Sequence, residues 1–363
     1  MLAWCTTTAS LAAAAPESID ALIKELRLQE DSAPVRERTG WRPPKKIVVL
    51  GNAQAYASVA PGVELISARD VASAAAAAKD ADVVVGLTSY PGICEPQIID
   101  AAKELRWILS LSAGVERCVA VPSVSSRNLL VTNMRGVESD TIGEHAIALA
   151  LAMARGFDTF LASQAKAQWN RQGAAETQMQ TLKGKTLLVV GLGGIGTEVA
   201  SRAHALGMKV IATRASSRTG PEYVSYVGLS NELLTLAKTA DVIVNAAPLT
   251  KDTTGIFDAK FFAVLKPSAF FVNVARGQSV VTQDLIAALT EKRLAGAGLD
   301  VTDPEPLPPD HPLWRAPNVI ITPHISSFSD LPGSQRMLLA RENLRRYIAG
   351  ERMLSVVDLK KEY

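Results

Sequence analysis

Three glycines, Gly191, Gly193 and Gly196, form a G-x-G-x-x-G pattern inside "VVGLGGIGTEVASRAHALGMKVIATR". The apolar strand "TLLVV" leads into it and the helix "TEVASRAHAL" leads out. In that setting each glycine has a task. Gly191 permits the tight turn, Gly193 lets the backbone approach a pyrophosphate, and Gly196 lets helix and strand pack closely. The N–H groups and positive dipole end of the helix suit phosphate. The pattern therefore predicts a dinucleotide site. Where such a site normally ends in an acid on the adenosine ribose, this chain has Arg214. An acid accepts from both ribose hydroxyls and repels a 2′-phosphate, whereas a guanidinium pairs with that phosphate. "TRASSR" adds the hydroxyls of Thr213, Ser216 and Ser217 and a second cation at Arg218. NADP is expected in preference to NAD. The alternative is that Arg214 stacks on the adenine and tolerates NAD.

The four histidines, His145, His204, His311 and His324, show no metal-ligand spacing, and no metal is expected. His145, His204 and His311 read as structural or exposed. The three cysteines, Cys5, Cys94 and Cys118, are widely spaced and odd in number. They predict no disulfide framework and fit a reducing compartment.

The elements that must position these residues come in two series. "KIVVLG", "GVELIS", "ADVVVGL", "LRWILSLS" and "NLLVTN" are short apolar strands, with helices such as "DVASAAAAAKD" and "PQIIDAAKEL" among the earlier ones. One long helical segment is expected from about Asp140 to Gln168. A second series, "TLLVVGLG", "KVIATR", "DVIVNAAP", "AFFVNVA", "GAGLDV" and "NVIITPH", supplies six strands with helices between them. Alternation of this kind means parallel sheets covered on both faces. The expected fold is α/β: two Rossmann-like doubly wound parallel-sheet domains, the cofactor domain inserted into the substrate domain. The boundaries read as an N-terminal extension 1–45, a substrate domain 46–150 completed by 326–363, and a dinucleotide-binding domain 151–325. The extension holds an amphipathic helix within "PESIDALIKELRLQEDS" and a linker "RTGWRPPKK", and it is expected to be dispensable for the fold.

The 363 residues carry a net charge of +2 with 48% hydrophobic and 20% charged residues. That balance implies no nucleic-acid surface, and no apolar run reaches the roughly 18 residues of a membrane span. The Ala-rich start, "MLAWCTTTASLAAAAPES", has small residues where a signal would be cleaved but no Lys or Arg before its apolar part. A cytoplasmic protein is expected, periplasmic or secreted if that segment is a signal.

The chain resembles the D-isomer-specific 2-hydroxyacid dehydrogenase family. The matching stretches are "LSAGVE", "GEHAIALALAMARG", "LKGKTLLVVGLGGIG", "APLTKDTTGIF", "FVNVARGQSVV", "GAGLDVTDPEPLPPDHPLW" and "NVIITPHISS". The likeness spans about residues 46 to 350. It implies hydride transfer between NAD(P)H and a 2-oxo acid or D-2-hydroxy acid, in the manner of a glyoxylate or hydroxypyruvate reductase. It assigns Arg276 to the substrate carboxylate and carbonyl, His324 to general acid–base work, and Glu305 to pairing with that histidine. The chemistry agrees: a planar guanidinium fork suits a 2-oxo acid, and an imidazole exchanges protons near neutral pH. The resemblance further implies cofactor contacts at Gly194, Ile195, Ala247, Pro248, Thr253 and Ala275, and at Asp300 for the nicotinamide carboxamide. It gives the backbone N–H groups of Ala113 and Gly114 to the substrate carboxylate, and it implies a homodimer.

Two rival readings stand beside this one. Formate or phosphite oxidation on the same fold is the first, although a formate enzyme should carry Gln in place of Glu305. A dinucleotide-sensing, non-enzymatic corepressor is the second, although partner-binding tails are not evident. An added regulatory domain is not expected, because 39 residues follow His324.

Overall fold

The computed structural model describes residues 18–88, 91–177, 179–215, 217–330 and 333–361. The Ala-rich start, including Cys5, and Ser216 lie outside the described residues. Five strands form the first sheet: β1 (Lys46–Leu50), β2 (Glu64–Ala68), β3 (Val83–Gly86), β4 (Trp107–Ser110) and β5 (Leu130–Thr132). Seven form the second: β6 (Thr186–Val190), β7 (Lys209–Arg214), β8 (Val224–Leu229), β9 (Val242–Asn245), β10 (Phe270–Asn273), β11 (Gly296–Leu299) and β12 (Val319–Ile321). Their orders are β2-β1-β3-β4-β5 and β12-β11-β10-β9-β6-β7-β8. Every ladder is parallel. Both sheets are doubly wound, so each has a point where the strand order reverses, and clefts open there at the strand C-terminal ends.

The central strands are buried on both faces, which is why they read as unbroken apolar runs. Sequence reasoning missed β8. It is an edge strand with Ser225 and Tyr226 exposed and a register shift after Val210, so its pattern is broken. The six strands expected in the second sheet are therefore seven.

Packing corrects three further expectations. The long helix is two: Ser139–Ala154 and Phe157–Ala165 meet at a 75° bend, where Gly156 takes a left-handed φ of 65°. The first of these buries Ile142, Ala146, Leu149, Ala150 and Met153 in the core of the second sheet. It therefore belongs with the nucleotide domain, and the first boundary falls before Ser139 instead of at 150. Residues 18–45 are not a detached extension and linker. Helix Ile19–Leu26 is capped by Ser18 and buries Leu22 completely. Leu22 and Val35 share a core with Trp107 of β4 and with Leu344 and Tyr347 of the helix Ser334–Ala349. Asp31 N donates to Met353 O (2.8 Å), Val35 N to Glu351 O (2.9 Å), and Trp41 Nε1 to Tyr347 O (3.1 Å).

The cysteine reading is corrected as well. Cys94 and Cys118 are joined in a disulfide, both buried on the other face of the first sheet. A separation of 24 residues gave no cue to that pairing.

Candidate active site

The glycine turn has the geometry its sequence predicts. Gly191 has φ 92°, and a Cβ there would press on the backbone of Ala247. A Cβ on Gly196 would strike the Gly191 carbonyl, whereas one on Gly193 would meet nothing. The turn is thus packed tight beneath and open above, the shape needed for a pyrophosphate to approach the backbone. Helix Gly194–Ala205 starts at this turn, so the first N–H groups, those of Gly194 and Ile195 among them, have no intrahelical acceptor. The residues present fit a dinucleotide. Ser139 Oγ closes the same turn from the side, where a Cβ on Gly194 would come within 2.6 Å of it.

Two fully buried asparagines at strand ends hold the neighbouring loops. Asn245 Oδ1 accepts from Ala247 N (3.1 Å), and Asn245 Nδ2 donates to Asn273 Oδ1 (3.0 Å). Asn273 accepts from Ala275 N (3.1 Å) and donates to Arg276 O (2.9 Å). The segment before Arg276 is therefore fixed to the sheet. Thr253, expected on the adenosine side, spends its hydroxyl on Pro248 O (2.6 Å) and shapes its own loop.

At the ribose end, Arg214 closes β7 and donates one Nη to Thr219 O (2.9 Å). Arg218 does not join it. Its guanidinium lies 2.7 Å from Glu232 and donates to Tyr226 Oη (2.9 Å). Hydrogen bonds from Tyr226, the Leu229 N–H and Arg218 pull the Glu232 carboxyl down to about 2. The expected second cation is thereby neutralised by an acid on the next strand–helix unit.

The reacting end gathers from both domains. His324 Nδ1 lies 2.7 Å from Glu305 Oε1, and both side chains are about four-tenths exposed at the cleft (42% and 39%). Burial pushes the Glu305 carboxyl up, but the His324 hydrogen bond and charge outweigh it and leave it below its ordinary value. Nδ1 being engaged, Nε2 is the nitrogen left for substrate. His324 itself sits at φ 55°, a left-handed conformation uncommon for a side-chain-bearing residue and a mark of a constrained site.

Asp300 imposes that constraint. Its side chain is fully enclosed. Oδ1 accepts from Thr322 Oγ1 (2.6 Å) and Ile325 N (3.0 Å), Oδ2 from Ser326 N (3.0 Å), and the Asp300 carbonyl accepts from His324 N (2.7 Å). This carboxylate thus holds the turn that carries the histidine. His145, read as structural or exposed, reaches Thr322 Oγ1 with Nε2 (2.9 Å). Thr322 gives its one proton to Asp300, so His145 donates to Thr322. His204 stacks on Tyr223, and His311 Nδ1 accepts from Leu313 N, both structural roles.

Opposite lies the "LSAGVE" turn. Three successive carbonyls are tied back into the substrate domain: Ser112 O by Met134 N, Ala113 O by Asn133 Nδ2 (2.7 Å), and Gly114 O by Thr88 Oγ1 (2.8 Å). In trans peptides the following N–H groups point the other way. Those of Ala113 and Gly114 accordingly face away from the substrate-domain interior, as an anion nest requires. Arg276 reaches across the cleft to this nest. Its Nε donates to Glu116 Oε1 (2.6 Å) and Nη1 to Ala275 O (2.7 Å), while Nη2 lies directly over Gly114.

A dinucleotide turn, a histidine–carboxylate pair and an arginine laid over Gly114 of the other domain are the groups a two-domain oxidoreductase with a nicotinamide cofactor needs. The D-isomer specific 2-hydroxyacid dehydrogenase NAD-binding domain family matches residues 147–326. Glyoxylate reductase of Thermofilum pendens is 34% identical over 269 residues, covering 73% of this chain and 78% of that one. A D-isomer specific 2-hydroxyacid dehydrogenase family protein from Aeromonas salmonicida superposes with a TM-score of 0.72 at 28% identity, covering 87% and 99% of the two chains. An NADPH-dependent glyoxylate/hydroxypyruvate reductase from Sinorhizobium meliloti, solved with NADP and sulfate, gives a TM-score of 0.72 at 25% identity, covering 88% and 100%. The chain belongs to the D-isomer-specific 2-hydroxyacid dehydrogenase family. It is an NAD(P)-dependent enzyme acting on the 2-oxo/2-hydroxy acid pair.

Proposed function

We propose that the protein reduces a small 2-oxo acid of the glyoxylate or hydroxypyruvate type, with NADPH preferred. The observation that carries this reading is the His324–Glu305 pair, with Arg276 near enough for its charge to act on Glu305 and its Nη2 over Gly114 of the other domain. The nicotinamide, when bound, supplies the hydride. The N–H groups of Ala113 and Gly114 bind the substrate carboxylate, and Arg276 Nη2 orients it and polarises the carbonyl. His324 donates its Nε2 proton to the carbonyl oxygen as that oxygen gains charge. Glu305 holds the imidazole's orientation through Nδ1. Asp300 keeps the histidine turn rigid.

The preference for NADPH rests on Arg214, with Arg218 committed to Glu232. The Sinorhizobium meliloti enzyme, NADPH-dependent by its description, supports it. A homodimer is also proposed. Phe157 and Leu161 on one helix are 52% and 59% exposed and Trp169 is 97% exposed, an apolar face that a second copy would cover. Light scattering behind a sizing column tests it, and a monomer at micromolar concentration refutes it.

One assay panel tests the activity: NADH and NADPH against glyoxylate, hydroxypyruvate, pyruvate, phenylpyruvate and 2-ketogluconate. The highest kcat/KM is expected with NADPH and one of the first two. A best substrate among the last three overturns the substrate class, and a higher kcat/KM with NADH overturns the cofactor preference.

A further inference from the structure

Arg276 is a long side chain at the rim of a cleft, and left alone it would sample many rotamers. Both its rigid edges are instead committed. Glu116 takes Nε, and the residue's own neighbour, Ala275, takes Nη1 through its carbonyl. Nε and one Nη1 proton are thereby used, and Nη2, with two protons to offer a ligand, is the nitrogen pressed over Gly114. Glu116 stands two residues beyond Gly114, at the start of the short helix Glu116–Val119, in the opposite domain from Arg276. The two side chains are 31% and 27% exposed, so the pair is largely shielded from solvent. Burial pushes the Glu116 carboxyl up, yet the charge and hydrogen bond of Arg276 outweigh it and leave it below its ordinary value.

The geometry points to Glu116 as a positioning residue for the substrate reaction: it fixes the Arg276 fork across the domain cleft so that Nη2 is aimed at the anion nest. The inference rests on the reading of Arg276 as the substrate's carboxylate ligand. A guanidinium is planar, so seating Nε on a carboxylate sets the direction of the whole fork. The substrate then meets an arginine whose side-chain entropy has already been lost, which is preorganisation for binding. Because Glu116 acts through Arg276, its effect is expected on the 2-oxo acid and not on the dinucleotide.

The test is a double-mutant cycle with Glu116→Ala, Glu116→Gln, Arg276→Ala and the Glu116→Ala/Arg276→Ala pair, read as KM and kcat for the 2-oxo acid and KM for NADPH. Glu116→Ala is expected to raise the 2-oxo acid KM by about tenfold, with a smaller change in kcat and an unchanged NADPH KM. Glu116→Gln keeps an oxygen for Nε and should recover part of the loss. On top of Arg276→Ala, removing Glu116 should change nothing further. If Arg276→Ala is impaired but Glu116→Ala keeps a KM within twofold of the parent, the positioning role is wrong. It is equally wrong if the Glu116→Ala penalty persists in full without Arg276, for Glu116 would then support the fold alone. If Arg276→Ala itself turns over normally, the carboxylate-ligand reading fails instead.

Discussion

Gly114→Ala should abolish most catalysis while leaving the fold intact. A Cβ at this position would overlap Arg276 Nη2 outright and approach Glu116 Oε2 to 2.7 Å. No backbone atom stands among its three nearest neighbours, so the fold has little to resist. The tips of two side chains must withdraw, and ordinary contact requires Arg276 Nη2, 1.8 Å from the added Cβ, to retreat by more than about 1 Å. A misplacement of about 1 Å of a substrate-orienting group costs roughly 100-fold in rate, equivalent to about 2.7 kcal/mol of transition-state stabilisation. Steady-state kinetics should therefore show a fall of about 100-fold in kcat/KM for the 2-oxo acid. The KM for NADPH should stay within about twofold, and thermal unfolding within about 2 °C, since the lost contact lies at one surface cleft. Parent-like kcat/KM in Gly114→Ala would show that Arg276 does not act from the place where it now lies. A large drop in melting temperature would show instead that Gly114 serves packing.

His324→Ala should lower kcat by about 100-fold or more, the scale of a lost general acid, and activity near the parent's would sink the assignment. The Glu305 carboxyl is held below its ordinary value, so its ionised form is favoured by the fold; the pair persists above the usual carboxylate range and is lost as pH falls through the lowered value. The acid limb of kcat/KM should accordingly lie below that range, and Glu305→Gln should erase it; an acid limb unaltered by Glu305→Gln refutes the link. Leu22→Ala empties a wholly buried site shared with Val35 and Tyr347 and should cost about 2–5 kcal/mol, lowering the melting temperature by about 2–4 °C per kcal/mol. An unshifted transition would restore the view that the N-terminal segment is dispensable. Arg214→Asp should raise the KM for NADPH and improve NADH use; unchanged cofactor preference would leave Arg214 a mere clamp on Thr219.

What the sequence determined by itself is what is encoded locally. The glycine turn, the strands buried on both faces and the strand-end placement of Arg276 and His324 each depend on residues within one strand–turn–helix unit. Periodicity and turn chemistry are therefore enough to read them. The edge strand β8 escaped because an edge exposes one face and breaks the apolar run. What only the tertiary structure decided are the partners brought together by topology. Glu116 meets Arg276 across 160 residues, and nothing in either neighbourhood names the other. Arg218 was legible as a cation, but the acid that neutralises it arrives on the next strand and helix. Asp300 was legible as a strand-end acid, while its enclosure by Thr322, Ile325 and Ser326 depends on how the histidine turn folds back over β11. The N-terminal segment looked detached because its apolar stripe finds its cover on a helix about 300 residues away, as the cluster of Leu22 with Leu344 and Tyr347 shows. A local pattern states that a face is apolar; which surface buries it is settled only when the chain has closed on itself.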